Sequence, residues 1–184
     1  MNISLNPLPQ PNTLVEQNPA LEIVRAKEAD MPLIASFIRS SADWYRPFVD
    51  QKDMSEHQVG RKWEQDNYRR REFYIGYVDN KPIGTLSIQY FGQFAYLGYI
   101  YLQVEEVGKG YGHQLMNFAK AEAKNNGKSG LVLIAHPKAT WAKKAYLKFG
   151  FDIILKNKDA ILKWNNRVLA PYYEEGFELY QYEL

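Results

Sequence analysis

Residues Val107-Gly108-Lys109-Gly110-Tyr111-Gly112 place three glycines within six positions, directly after an apolar run from Tyr96 to Val104 and directly before an amphipathic stretch. A strand-to-helix junction of this composition can grip a pyrophosphate. The first turn of a helix has four backbone N–H groups without intrahelical partners, and the helix dipole adds partial positive charge at the same end. Glycine adopts dihedrals that side chains resist and leaves no Cβ between the amides and a ligand.

The neighbouring residues indicate what positions this turn. Phe94 to Val104 is apolar on both alternating sets, with Phe94, Ile100, Leu102 and Val104 on one face and Leu97, Tyr99 and Tyr101 on the other, so it predicts a strand covered on both sides. After the glycines, Leu115, Phe118, Ala119 and Ala123 recur at helical spacing, with Lys120 and Lys124 opposite and Gly127 placed to close the helix. Upstream, Leu21 to Arg25 reads as a strand, and Asp30 as the cap of a helix bearing Met31, Ile34, Ala35 and Ile38. Ser41 to Asp53, with Trp44, Tyr45, Pro47 and Phe48, breaks the period, and Ser55 starts a second helix that runs to Arg71. Phe73 to Val78 and Ile83 to Tyr90 form a hairpin about Asp79-Asn80-Lys81-Pro82.

Downstream, Leu131 to Ala135 is a short buried strand, followed by a helix capped at Thr140, with Ala142, Ala145, Tyr146 and Phe149 on one face and Gly150 at its end. Phe151 to Leu155 and Phe177 to Leu184 complete the strands. The segment between them, Lys156 to Gly176, exceeds the ~4 to 6 residues of ordinary loops and predicts a helix over 159–169, a functional insertion, or both.

The chain has 184 residues, 46% of them hydrophobic and 24% charged, which suits a single globular domain over 21–184. Four prolines among Asn and Gln in residues 1–20 predict a flexible N-terminal arm without the features of a signal peptide. Aromatics reach 15%, including 14 tyrosines, a surplus that a wide core, a substrate pocket or a homodimer interface would absorb. A net charge of +2 provides no general field for nucleic acid or anionic membranes, and Arg69-Arg70-Arg71 reads as the solvated C-terminal end of a helix. The absence of cysteine excludes disulfides, thiolate zinc sites and a cysteine nucleophile. No metal is expected, no apolar stretch approaches the ~20 residues of a membrane span, and the expected compartment is the cytoplasm.

The element order, with its glycine turn after the fourth strand, resembles the GNAT superfamily of acyl-CoA-dependent N-acyltransferases. Gly110 and Gly112 match the family's Q/R-x-x-G-x-G/A signature, with Val107 in place of the opening Gln or Arg. Ala142, Tyr146, Gly150 and Phe151 match A-x-x-x-Y-x-x-x-G-F, with Ala139 where an Asn commonly stands. Other phosphate-binding patterns fail on context. A dinucleotide turn would need glycine where His113 stands, and Gly127-Lys128-Ser129 follows a helix and has Glu122 where a P-loop needs its first glycine.

The resemblance implies a mixed, mostly antiparallel seven-stranded α/β (α+β) sheet flanked by helices and splayed after its fourth strand. It implies acetyl-CoA, or another acyl-CoA, as cosubstrate, and direct acyl transfer to the amine of a small molecule, protein or peptide. Positioning alone contributes up to ~7–11 kcal/mol in favourable systems. Leu102, Gln103 and Val104 would bind the pantetheine arm, and a backbone N–H there would stabilise the oxyanion. The amides of Gly108, Lys109, Gly110, Tyr111, Gly112 and His113 would hold the pyrophosphate, with Lys109 adding charge. Tyr146 would protonate the departing thiolate, since a phenol of pKa ~10 keeps its proton at neutral pH. Candidate bases are Glu105, Glu106, Tyr96, Tyr99 and His136.

The loops flanking the acceptor cleft bring Trp44, Tyr45, Arg46, Trp164, Tyr172, Tyr173, Glu174 and Glu175, a set suited to a cationic amine. Trp44, Tyr45, Tyr96, His136 and Tyr173 are the expected substrate contacts. A non-catalytic acyl-CoA sensor or docking module on the same fold is the alternative, favoured by the departures at Val107 and Ala139. Nucleic-acid binding through Arg69 to Arg71 is disfavoured by the balanced charge.

Overall fold

The computed structural model describes residues 19–54 and 59–184. Residues 1–18 of the expected arm, and the expected cap Ser55, lie outside the described residues. Asp79 and Asn80 both take positive φ, 48° and 63°, giving the two-residue turn that matches the twist of a hairpin. It joins β2 (Glu72–Val78) to β3 (Lys81–Phe91), and a second tight turn leads to β4 (Phe94–Leu102). Before them lie β1 (Glu22–Arg25), α1 (Met31–Tyr45), α2 (Gln51–Met54) and α3 (Arg61–Arg70). After them come α4 (Tyr111–Asn125), β5 (Gly130–Ala135), α5 (Thr140–Phe149), β6 (Asp152–Leu155), α6 (Lys158–Arg167) and β7 (Glu178–Glu183).

The seven strands form one sheet in the order β1-β2-β3-β4-β5-β7-β6. Every neighbouring pair is antiparallel except β4 and β5. That parallel pairing covers only Phe94 to Tyr96 against Gly130 to Val132, and beyond it the strands part. Where they part, β4 carries a bulge. Thr85 faces Tyr101 and Ser87 faces Gly98, so Tyr99 and Ile100 together oppose Leu86, with Tyr99 at φ 50°.

The bulge corrects the strict alternation expected for this strand. Ala95 and Leu97 share the α4 side with Ile100 and Leu102, while Tyr99 and Tyr101 pack on the other side with α1. Val104 leaves the strand altogether for a 3-10 turn, Val104–Glu106, placed between β4 and the glycines.

Each side of the sheet is covered by an amphipathic element. Leu115, Met116, Ala119 and Ala123 of α4 seal one side, Ile34, Phe37 and Ile38 of α1 the other, and Ile161 and Leu169 cover Tyr96, Val132 and Leu179. A fully buried side chain of this size contributes about 1.5–3 kcal/mol, so these stripes determine which way each helix faces.

Several boundaries differ from expectation. The second helix begins at Arg61 behind Gly60, because Val59 is buried in the α1 cluster and its carbonyl accepts from Arg39 Nη1 at 2.7 Å. Asp30 does precede α1, but its carboxylate accepts from the Lys27 N–H at 2.7 Å instead of capping that helix. Thr140 is the first helical residue and not the cap, a position held by Ala139. Lys120 is half-buried, its Nζ donating to the Tyr182 hydroxyl at 2.6 Å, and Ala145 lies on the exposed flank of α5.

Gly84 belongs where β3 crosses the end of β4. A Cβ there would lie 2.5 Å from Leu102 Cδ2 and 2.6 Å from the Tyr101 carbonyl oxygen. Backbone cannot yield as a side chain does, so Gly84→Ala should cost about 1–3 kcal/mol, read as a lower urea midpoint.

Candidate active site

The glycine turn forms by two left-handed residues, Gly108 and Gly110, both at φ 86°. The first intrahelical bond of α4 runs from the Gln114 N–H to the Gly110 carbonyl at 3.2 Å. The N–H groups of Gly108, Gly110, Tyr111, Gly112 and His113 have no hydrogen-bond partner among the described residues. A Cβ built on Gly108 or Gly110 would meet nothing within 4 Å, so the space beside these two glycines is open. Tyr111 contributes an amide only, as its side chain is buried against the core. Lys109 is paired with Glu106 at 3.0 Å, so the positive character of the turn rests mainly on amides. His113 is exposed and packs edge-on against Phe149 at 5.1 Å.

The end of β4 is more selective than the sequence suggests. Gln103 donates its N–H to the Ile83 carbonyl at 2.8 Å and its side-chain amide to Pro82 at 3.1 Å, so both of its donors are committed to β3. Antiparallel alternation then turns the backbone groups of Leu102 and Ile100 toward the open side, where β5 has diverged. Val104 sits in the 3-10 turn, 39% exposed.

The divergence encloses a cavity of about 330 Å³, lined by β4, the end of β5, Tyr45, Tyr146 and the 171–174 segment. Tyr146 is held there by a helix-end motif. Gly150 takes φ 111°, and the N–H groups of Gly150 and Phe151 donate to the Tyr146 carbonyl at 3.2 and 3.1 Å, which gives the Tyr-x-x-x-Gly-Phe spacing its physical meaning. The ring packs on Tyr180 at 5.6 Å and Phe151 at 6.1 Å, and the hydroxyl has no hydrogen-bond partner among the described residues. Burial, and then the Tyr45 phenol, hold Tyr146 well above the ordinary tyrosine pKa, so it stays protonated. Tyr45 itself is pushed up to about 12 by burial and then by the charge of Glu174.

Of the expected substrate contacts, Tyr45, Tyr96, His136 and Tyr173 line this cavity together. Trp44 does not, because its ring stacks edge-on against Trp141 at 5.2 Å. Among the other flanking residues, Glu174 lines the cavity, Trp164 packs on Phe94 at 5.1 Å, Arg46 pairs with Asp43 at 2.7 Å and Glu175 pairs with Lys158 at 2.6 Å. Glu105 and Glu106 lie in the 3-10 turn outside the cavity. His136 Nδ1 accepts from the Lys138 N–H at 3.2 Å, which occupies that lone pair.

Two charged lining residues have no counterpart among the expected contacts, Lys52 and Arg71. Arg71 was expected to be solvated with Arg69 and Arg70; those two are exposed, but Arg71 is 6% exposed. The sequence signal was Gly98, where a Cβ would lie 2.6 Å from Arg71 Nη1.

The seven-stranded, mostly antiparallel sheet with its one parallel pair and flanking helices is the fold expected from the resemblance. Residues 36–151 match the model of the acetyltransferase (GNAT) family, well over half the chain, and the chain belongs to that family.

Solved structures share the fold at low identity. The PaiA N-acetyltransferase from Thermoplasma acidophilum, in complex with coenzyme A, aligns at TM-score 0.67 and 16% identity over 90% of this chain and 99% of its own. N-acetylglutamate synthase from Neisseria gonorrhoeae, complexed with coenzyme A and N-acetyl-glutamate, aligns at 0.67 and 16% over 91% of this chain and 36% of its own. A GNAT acetyltransferase from Elizabethkingia anophelis with acetyl-CoA bound aligns at 0.61 and 18%, covering 89% and 98%. No curated protein matches the chain in sequence. Among the described residues no helix is long and apolar enough to cross a membrane, and no cluster of three or more His, Cys, Asp or Glu could hold a metal.

Proposed function

We propose that this chain is an acyl-CoA-dependent N-acyltransferase that moves an acetyl group to an amine by direct attack in a ternary complex. The observation that carries this reading is the set of unpartnered amides at Gly108, Gly110, Tyr111, Gly112 and His113, on the turn that follows β4, the strand that lines the cavity holding Tyr146. A pyrophosphate suits that donor set, which is neutral and preorganised and needs no side chain at Val107.

When bound, acyl-CoA supplies an acyl group already activated as a thioester. The residues of the chain supply position, a proton and exclusion of water. Backbone groups of Ile100 and Leu102 turn toward the open side and orient an extended arm by strand-like hydrogen bonds. As the amine nitrogen bonds the acyl carbon and the C–S bond breaks, Tyr146 Oη, which holds its proton at every physiological pH, gives it to the leaving sulfur; the proton lost by the amine passes to solvent, which reprotonates Tyr146. Glu174 is the cavity carboxylate placed to attract a cationic amine.

The test is release of free thiol when the protein is incubated with acetyl-CoA and a panel of amines. The chain has no cysteine, so a thiol reagent reads only the released CoA. Amine-dependent release supports the enzyme. Tight binding of acetyl-CoA without release across the panel would favour an acyl-CoA sensor, the reading that the departures at Val107 and Ala139 suggest.

A further inference from the structure

Arg71 carries a permanent charge yet is 6% exposed. None of the ion pairs formed among the described residues includes it. Its Nη1 makes a long hydrogen bond, 3.4 Å to Ser87 Oγ, and Nε has no partner among the described residues. The rings of Tyr172, Tyr99 and Tyr96 stand 4.6, 4.7 and 5.4 Å from the guanidinium carbon. The ring faces attract the cation but are not in-plane acceptors, and the Tyr96 hydroxyl, on which Arg71 acts by charge and by hydrogen bonding, is neutral, so no anion faces the guanidinium among the described residues. A buried cation left in this condition is costly, and the fold nevertheless makes room for it by keeping Gly98 free of a Cβ.

We infer that the acceptor amine also carries a carboxylate, and that Arg71 binds this carboxylate inside the cavity that holds Tyr146. This rests on the acyltransferase reading above. A planar carboxylate matches the in-plane donors of a guanidinium, and an anion there offsets the cost of burying Arg71. The same cavity contains Glu174, whose charge acts on Tyr45 and Tyr101, whereas that of Arg71 acts on Tyr96. The two charges thus lie against different aromatic neighbours. A compact amino acid, with its carboxylate toward Arg71 and its ammonium on the Glu174 side, matches the sign of each charge in a cavity that Lys52 also lines. A polyamine would bring a second cation toward Arg71 and be disfavoured.

The experiment compares the common L-amino acids, with β-alanine and γ-aminobutyrate, against their carboxamides. It reads thiol release from acetyl-CoA and, separately, the rise in Tm that each compound produces in the presence of CoA. The expected result is a kcat/KM at least 100-fold higher for one or more free acids than for the matching amide. Arg71→Gln should raise the acceptor KM on the order of 100-fold with the KM of acetyl-CoA within about threefold, and Arg71→Lys should fall between.

Turnover of amides as good as that of acids would overturn the inference and leave the enzyme reading intact. Stabilisation specific to acids and lost in Arg71→Gln, without any turnover, would support the carboxylate site while overturning the enzyme reading. No acid-specific turnover and no acid-specific stabilisation in the unmodified protein would overturn the inference, whether or not the variants fold.

Discussion

Replacing Tyr146 by phenylalanine should lower kcat by about 100-fold or more while the dissociation constant of CoA stays within a few-fold. The substitution removes one oxygen. The ring keeps its contacts with Phe151 and Tyr180, and the Gly150-Phe151 helix end, which bonds only to the Tyr146 carbonyl, is unchanged. No protein hydrogen bond is lost among the described residues, so folding stability should move little. What disappears is the one phenol on α5 that lines the cavity.

Burial raises its pKa, and a raised acid pKa stabilises the neutral form, so ionisation of Tyr146 should not produce the alkaline limb of the rate profile below pH ~10. Steady-state kinetics with calorimetric CoA binding decide the matter. Unchanged kcat in Tyr146→Phe would make Tyr146 a packing residue.

Gly112→Ala should act in opposite directions on stability and on cosubstrate binding. Gly108 and Gly110 have positive φ and are glycine for conformational reasons. Gly112 is not among the positive-φ glycines, and a Cβ on it would meet only Leu102 Cδ1, at 3.9 Å. The fold itself therefore does not require glycine at this position. Alanine in a helix is favoured over glycine by up to about 1 kcal/mol, so Tm should rise by about 2 °C.

The added methyl group stands among the free amides, where a pyrophosphate would have to approach, so acetyl-CoA should bind at least about tenfold more weakly. A thermal scan and a binding titration on the same preparation separate the two effects. Greater stability with unaltered affinity would mean that no ligand approaches the backbone at this turn.

What the sequence revealed and what it hid follow from the range of the forces involved. The glycine turn, the hairpin and the end of α5 at Gly150 are set by dihedral preferences within a few residues and stand where expected, except that the hairpin turn is Asp79-Asn80 alone, with Lys81 and Pro82 already paired in β3. The position of Tyr146 one turn before that helix end is legible for the same reason, since its spacing from Gly150 and Phe151 is a local motif.

The bulge at Tyr99 and Ile100 was not legible, because two consecutive apolar residues look alike whether or not the strand slips phase between them. Arg71 was hidden in a run of three identical side chains. Only the fold distinguishes it, by ending α3 one residue earlier and laying Arg71 over Gly98. The bond from the Gln103 N–H to β3 depends on strand register, and the contact of Trp44 with Trp141 joins helices nearly a hundred positions apart, so neither could be read locally.

The central claim, that the amide turn and Tyr146 serve one group-transfer reaction, is tested most directly by mixing the protein with acetyl-CoA and candidate amines while following free thiol and the mass of the amine. Thiol release should depend on the amine and be matched one for one by an acetyl group on its nitrogen. Saturable binding of acetyl-CoA with no acetylated amine across the panel would contradict it.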